Sequence, residues 1–234
     1  IFVIWKKYPI LQKKNKLVLI EDAAQAMGAS LNGKHAGTFG QISSFSTHPL
    51  KNLNALGDGG FLITNNKKYY NFVKLFRNHG LKGRDNVKIF GVNSRLDSLN
   101  AEVLSFRLKQ LKKMIAIRNF NAKFYKSNIL TNKVSFVKNL SNNSNAYVMF
   151  LALCEKRNQL QTYLKSKGIQ TFVYYGKQLH IHYASKILNY KKNRFPIAEE
   201  ICKKVLAFPI HQFLKKKELK FICKNINDFY ENDS

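Results

Sequence analysis

Apolar and polar positions along the first half of the chain predict short strands separated by polar turns. Residues 17–21, "LVLIE", have the length and composition of a buried strand, and the segment before them, "IFVIWKKYPILQKK", is predicted to be a short helix. Asn32 and Gly33 lie between residues able to pair, and this dipeptide is a strong signal for a β-hairpin. Two more strand patterns and a helix stopped by Gly80 follow: "QISSFS", "GFLITN" and "KKYYNFVKLFRNHG".

A long helix is predicted in the middle of the chain, beginning near Asp97, which suits an N-cap, and continuing past residue 111. Its apolar positions at helical spacing are Leu104, Leu108, Leu111 and Ile115. The tail then alternates strand patterns with helix patterns: "NAYVMFLAL", "RNQLQTYLKSKG", "IQTFVYY", "PIAEEICKKVLA" and "KKKELKFICKNINDFY". We therefore predict a boundary near residue 115, with a small α/β domain over residues 116–234.

The positive charge of the chain adds one minor functional alternative. A net charge of +27 invites a nucleic-acid interpretation. The excess is mostly lysine spread along the chain, whereas phosphate and base recognition favours arginine. The arginines are few: Arg77, Arg84, Arg95, Arg107, Arg118, Arg157 and Arg194. A basic nucleic-acid-binding module therefore stays a minor alternative that rests on charge alone.

The cysteines and apolar runs indicate a reduced protein of the cytoplasm. Cys154, Cys202 and Cys223 are odd in number and widely spaced, which predicts core thiols and neither a disulfide framework nor a metal site. No apolar run approaches the length needed to span a bilayer, and the first residues lack the pattern of a secretory signal. We expect no membrane partner.

Candidate chemistry lies after two of the predicted strands. Asp22 ends the first strand, and Lys51 stands 51 − 22 = 29 residues later, in a loop after a second strand. Ligands of α/β proteins bind beyond the carboxyl ends of strands, so the two side chains could share a site, although on these two residues alone an ordinary salt bridge is the favoured interpretation. Gln25, Ser46 and the glycines of "NALGDGG" favour a site.

Longer stretches carry a resemblance to a known family: "IEDAAQAMGA", "GTFGQISSFSTHPLKNLNALGDGGFLITN", "RNHG", "GVNSRLDSLNAEVL", "YYGKQLHIHYASK" and "FPIAEEICKKVLAFPIH". In this order the sequence resembles the DegT/DnrJ/EryC1/StrS sugar aminotransferases, which use pyridoxal phosphate (PLP). The resemblance implies an α/β fold: residues 1–115 form part of the fold-type-I (aspartate aminotransferase-like) PLP-binding large domain with a mixed sheet, followed by the small α/β C-terminal domain.

The resemblance implies a role for each matching residue. Lys51 matches the lysine that forms the internal aldimine with PLP and carries the proton between substrate and cofactor carbons. Asp22 matches the aspartate that keeps the pyridine nitrogen protonated. Gln25 matches a residue beside the phenolic oxygen, and Ser46 a phosphate-binding hydroxyl. Asn93 matches an asparagine that reaches the phosphate in the neighbouring subunit, which implies a homodimer with shared sites.

Two histidines fall in the segment that lines the sugar side of the family's active site. His180 is the candidate substrate contact, and His182 lies close by. For either histidine a structural role is an equal alternative, because imidazole is intermediate in burial.

The activity implied is transfer of an amino group, from glutamate as donor, to a keto group on a nucleotide-linked sugar. Lys51 argues against the branch of the family that has histidine at this position and performs a dehydration. The match begins inside the family's large domain, so roughly the first third of a family member has no counterpart here. A remnant without catalytic activity of its own is therefore the main alternative.

Overall fold

The computed structural model describes residue 12 and residues 14–137, 143–191 and 193–232, so the helix predicted over residues 1–14 falls largely outside the described part. The chain divides into two compact units, Ile1–Ala116 with Leu140–Val148, and Ile117–Asn139 with Met149–Ser234. The domain boundary at residue 115 stays a prediction, because a compact unit need not fold alone. None of the described helices is both long enough and apolar enough to cross a bilayer.

A three-stranded mixed sheet forms the centre of the first unit. Its strands are β1 (Ile20–Asp22), β4 (Ile42–Ser46) and β5 (Gly60–Ile63). They lie in the order β1-β4-β5, with β1 and β4 parallel and β4 and β5 antiparallel. The first strand is shorter and later than predicted, because residues 17–19 lie outside the ladder that joins β1 to β4.

The predicted hairpin is confirmed in the same unit. β2 (Ser30–Leu31) and β3 (Lys34–His35) pair antiparallel around Asn32 and Gly33. Both turn residues have positive φ, 51° and 76°, as a two-residue hairpin turn requires. The other edge of β2 pairs with β7 (Asn143–Ser144), which returns to this unit from later in the sequence.

Helix α1 (Lys67–Phe76) begins where Asn66 caps it and ends earlier than predicted. The Asn66 side chain accepts hydrogen bonds from the backbone N–H groups of Lys68 and Tyr69. The C-cap is Arg77, not Gly80, because the chain leaves the helix at Phe76. Gly80 instead adopts a φ of 71° beyond the helix end.

Helix α2 (Ser98–Asn128) begins after Asp97 as predicted, and the boundary between the units falls within it. Three of its four apolar residues at helical spacing are buried: Leu104, Leu111 and Ile115. They pack in a cluster with Ala29, Leu53, Ala55 and Ala146. The fourth, Leu108, is 51% exposed. At 100° per residue it lies about 40° from the centre of the buried stripe.

The second unit packs helices on an antiparallel sheet. The strands of this sheet are β6 (Val134–Phe136), β8 (Phe150–Cys154) and β9 (Val205–Phe208), in the order β6-β8-β9. The helices are α3 (Arg157–Ser166), α4 (Pro196–Lys204) and α5 (Lys216–Glu231). Apolar residues at helical spacing fill the core of this unit: Leu160, Leu164, Leu219, Ile222 and Ile226.

In this second unit the predicted helices are confirmed except for the end of α4, and the predicted strands are less accurate. Pro196 occupies the first turn of α4, and Gly168 follows α3 with a φ of 74°. The segment "IQTFVYY" forms no strand and makes a single bridge, Phe172 to Ala207. The helix predicted over "PIAEEICKKVLA" ends at Lys204, and its last three residues belong to β9.

Candidate functional site

The carboxyl end of β1 presents Asp22 to the surface. Asp22 is the last residue of the strand and its side chain is exposed. One carboxylate oxygen, Oδ1, accepts a hydrogen bond from the backbone N–H of Ala24 at 3.0 Å. Alternate residues of a strand point to opposite faces, so the preceding residue, Glu21, points inward. The carboxylate of Asp22 is therefore accessible to a ligand at the sheet edge.

Glu21 is a buried carboxylate that the sequence analysis missed. Its side chain is 4% exposed and accepts backbone hydrogen bonds from Gly37 at 2.7 Å, from Gly40 at 2.6 Å and from Phe39. The hydroxyl of Ser43 lies 3.4 Å away. These bonds fix the turn at residues 37–40 against β1. The alternation of the strand and the nearby glycines were the only signals that could have suggested this role.

Lys51 lies in a closed loop between β4 and β5. The backbone of Thr47 joins both ends of the loop, donating to the carbonyl of Gly59 at 2.9 Å and accepting from the N–H of Ala55 at 2.7 Å. Within the loop the N–H of Lys51 donates to the carbonyl of His48 at 2.8 Å. The Lys51 side chain is half-buried and makes no ion pair with any described residue. Its amine is thus available for chemistry.

Strand pairing brings the Asp22 and Lys51 segments to one edge of the mixed sheet. Asp22 is paired with Ser44, and the N–H of Ala23 donates to the carbonyl of Ser44 at 2.9 Å. Ser46, two residues further along β4, ends that strand at the same edge because β1 and β4 are parallel. The Ser46 hydroxyl accepts from the N–H of His48 at 3.3 Å.

The other two candidates in this unit are both exposed. Gln25 follows Asp22 in a turn, three residues after the strand end. Asn93 lies in a separate loop, where it bridges Asn78 and its side chain accepts from Nε of Arg95 at 3.2 Å. The structure therefore groups Gln25 with Asp22 by proximity in sequence, and it records no contact of Asn93 with them in the described part.

His180 belongs to the second unit and has an internal partner. Its Nε2 lies 2.9 Å from Oε1 of Glu199, and the two side chains are only 6% and 12% exposed. The ring also meets Phe195 edge-on at 4.9 Å. His182 is exposed, and both histidines line a cavity of about 460 Å³ with Tyr190. A substrate role for His180 stays a prediction beside this evident structural one.

Comparisons with known proteins give the family and the fold. The family model described as the DegT/DnrJ/EryC1/StrS aminotransferase family matches residues 8–227. The chain is 34% identical over 95% of its length to a pleiotropic regulatory protein of Geobacillus stearothermophilus, covering 60% of that protein. It is 32% identical over 95% of its length to the GDP-perosamine synthase of Escherichia coli O157:H7, covering 61% of it.

A solved structure confirms the fold. The DesV protein of S. venezuelae, crystallised with a ketimine intermediate, superposes with a TM-score of 0.93 and 27% identity, over 98% of this chain and 62% of that one. The fold is therefore part of a fold-type-I PLP-dependent transferase, with a mixed sheet in the first unit. The chain spans about 60% of the length of the curated relatives it matches. This chain belongs to the DegT/DnrJ/EryC1/StrS aminotransferase family, whose members depend on PLP.

Proposed function

We propose that this chain carries the lysine-bearing part of a PLP-dependent enzyme that transfers an amino group to a keto group on a nucleotide-linked sugar. One observation carries the proposal: Asp22 and the Lys51 loop follow adjacent parallel strands at one sheet edge, and neither side chain has an ion-pair partner among the described residues. Relatives described as nucleotide-sugar transaminases and a synthase of GDP-perosamine support the substrate class.

The residues present fit PLP. The cofactor requires a primary amine for its aldehyde, a carboxylate for its pyridinium nitrogen and donors for its phosphate. Lys51, Asp22 and Ser46 supply these groups from one edge of the sheet. The buried hydroxyl of Thr47, next to Ser46, has no partner in the described residues. A Cβ at Gly59 would lie 2.7 Å from that hydroxyl, so the glycine keeps the loop closed around it.

Each side chain would then have one task. When bound, PLP draws electrons from the substrate carbon that bears the nitrogen and makes its C–H bond acidic. Nζ of Lys51 would act as the base that takes the proton from that carbon and would hold it for the next transfer. The Asp22 carboxylate holds the proton on the pyridine nitrogen. The Gln25 amide donates to the phenolic oxygen, and the Ser46 hydroxyl donates to a phosphate oxygen.

The partners we propose follow from the family. Glutamate is the amino donor, and the working form is a homodimer in which Asn93 of each copy reaches the phosphate bound by the other. We propose His180 as the contact to the sugar, which requires its hydrogen bond to Glu199 to open. The compartment proposed is the cytoplasm, where the three free cysteines would stay reduced.

The test is covalent capture of PLP by the full chain. Protein mixed with PLP and reduced with borohydride should carry the cofactor on Lys51, as read by mass spectrometry of its peptide. Lys51→Arg keeps the charge but cannot form the bond, and it should abolish capture at this position. Lys82→Arg, an exposed lysine of the same unit, is the matched control. A wild-type chain with no PLP on Lys51 would contradict the proposal and favour the inactive remnant.

A further inference from the structure

Asn52, the residue after Lys51, is buried and bonded far along the chain. Its side chain is 4% exposed, and its Nδ2 donates to the backbone carbonyl of Ala146 at 2.6 Å. Ala146 lies just beyond β7, 94 residues away. The amide oxygen, Oδ1, is buried and has no partner in the described part, so the donated bond is the polar contact that holds this side chain.

The bond connects the two sides of the proposed site. The Lys51 loop is attached through Asn52 to Ala146, and the adjoining strand β7 pairs with β2 at Ser30 and Ser144. Strand β2 in turn follows the turns that begin at Ala23, where the N–H of Ala26 donates to the carbonyl of Ala23. A continuous path of hydrogen bonds and chain therefore runs from the Lys51 backbone to the segment that carries Asp22.

Apolar packing fixes the part of the loop that follows Asn52, and Lys51 itself is held by its N–H bond to His48 on one side and by Asn52 on the other. Leu53 and Ala55 lie in the same buried cluster as Ala146. On the other side of Lys51, Pro49 and Leu50 are exposed. The Asn52 amide is thus the buried polar anchor nearest to Lys51 in sequence, on the side where the loop enters the core.

We infer that Asn52 is a positioning residue that holds Lys51 in the place where its amine meets a bound carbonyl. Lys51 has four rotatable side-chain bonds, so its backbone must be fixed before the amine can be aimed. Asn52 acts by fixing that backbone and does not touch the reacting atoms. This inference rests on the proposed function of Lys51.

The experiment compares Asn52→Ala with the wild type for the rate of PLP capture at Lys51, quenched with borohydride and read by mass spectrometry. We expect capture to be about tenfold slower, as for a small misplacement of a reacting group. Acetylation of the Lys51 amine by acetic anhydride in cofactor-free protein needs no placement, and it should proceed at the wild-type rate. Acetylation as fast as in urea-unfolded protein would indicate general disruption and overturn the inference.

Asn52→Asp makes the bond to Ala146 depend on pH, and the rate of Lys51 acetylation at each pH controls for general disruption. A protonated carboxylic acid can donate to the Ala146 carbonyl, whereas a carboxylate cannot. The ratio of the wild-type to the Asn52→Asp capture rate should therefore rise as the pH increases from about 5 to about 8. A ratio that is independent of pH would contradict the inference.

Asn121→Ala is the matched control, because Asn121 is a buried asparagine whose Nδ2 donates to the backbone carbonyl of His211 at 3.1 Å in the second unit. It should lower the stability but leave capture at Lys51 unchanged. Equal capture by the wild type and Asn52→Ala would overturn the inference while the proposed function stands. Absence of capture in the wild type would overturn both.

Discussion

Two adjacent acids of β1 have opposite environments. Glu21 is enclosed by backbone N–H groups of residues 37–40, whereas Asp22 stands at the surface with one oxygen bonded locally. The period of two along a strand produces this difference without any special sequence. Glu21 therefore shapes the sheet edge, and Asp22 remains available to bind a cation.

Cys154 should make the chain sensitive to alkaline pH. Burial raises the pKa of its thiol from 9.0 to about 12, partly opposed by the charge of Arg157. Because the folded pKa is above the unfolded one, this thiol's contribution to stability is present below about pH 9 and is lost as the pH rises towards about 12. Between about pH 8 and about pH 10.5 the loss is about 2 kcal/mol from this residue.

The free energy of unfolding, measured in urea at several pH values under reducing conditions, checks this. The free energy of unfolding of Cys154→Ala should fall less steeply with rising pH than that of the wild type. Cys202→Ala, at a half-buried position, should keep the wild-type slope. Cys223 has a similarly raised pKa, about 12, so part of the slope should remain in Cys154→Ala. Identical slopes in all three proteins would show that burial of Cys154 does not control its titration.

Residue roles that depend on local sequence could be predicted, and those that depend on distant contacts could not. The Asn32-Gly33 turn follows from the backbone preferences of two residues. The anchoring of Asn52 needs Ala146, 94 residues away, and nothing near either residue signals the contact. The placements of Lys51 and Asp22 were inferred from strand ends, but their roles came from the resemblance.

At the scale of elements, three glycines with positive φ end or join segments in different surroundings. Gly33 and Gly168, at 76° and 74°, have open space where a Cβ would be placed. Gly80, at 71°, would place its Cβ 1.7 Å from the carbonyl oxygen of Ile89. A side chain at these positions would therefore meet open space in the hairpin and after α3, but a backbone carbonyl in the loop beyond α1.

Alanine at these glycines should therefore give two classes of effect. Gly33→Ala and Gly168→Ala should each lower the free energy of unfolding by about 1 kcal/mol, because alanine is strained only by the left-handed backbone there. Gly80→Ala adds a collision with backbone that cannot move freely, so we expect a loss of several kcal/mol, at least about 3. Urea unfolding of the three variants measures the difference. If Gly80→Ala were as mild as the other two, the contact with Ile89 would be wrong.

Elements that differed from prediction did so because the apolar pattern was ambiguous. Val205–Phe208 is a fully buried run of four residues, and such a run directly after α4 cannot be told from a further helical turn. Its strand character comes from pairing with β8. The aromatic and β-branched residues around Phe172 have a strand composition, but only the bridge to Ala207 forms. Tertiary pairing decided both outcomes.

At the scale of the whole molecule, charge is the dominant property. The 40 basic and 13 acidic side chains leave +27, mostly on exposed lysines. Such a surface attracts any polyanion, and its self-repulsion is screened by salt. Attraction of this kind does not identify a biological partner, so the nucleic-acid alternative needs a separate test.

The affinity for DNA should fall as the salt concentration rises, and it should not depend on Lys51. We expect affinity for an arbitrary duplex to fall more than about tenfold when NaCl is raised from about 50 mM to about 200 mM. Lys51→Ala should bind equally well, because one charge among many is removed. Fluorescence anisotropy across a salt series measures this. Binding that persists in high salt, or that prefers one sequence, would favour the nucleic-acid alternative.

The return of β7 to the first unit has a consequence for synthesis. Because Asn143–Ser144 pairs with β2, the first unit is complete only when the ribosome has released the chain beyond residue 148. The Lys51 loop can form its buried hydrogen bond only after the same point, because the acceptor of the Asn52 amide is the carbonyl of Ala146. A nascent chain paused before that point would expose the edge of β2 that later pairs with β7, and chaperones could bind this unpaired edge.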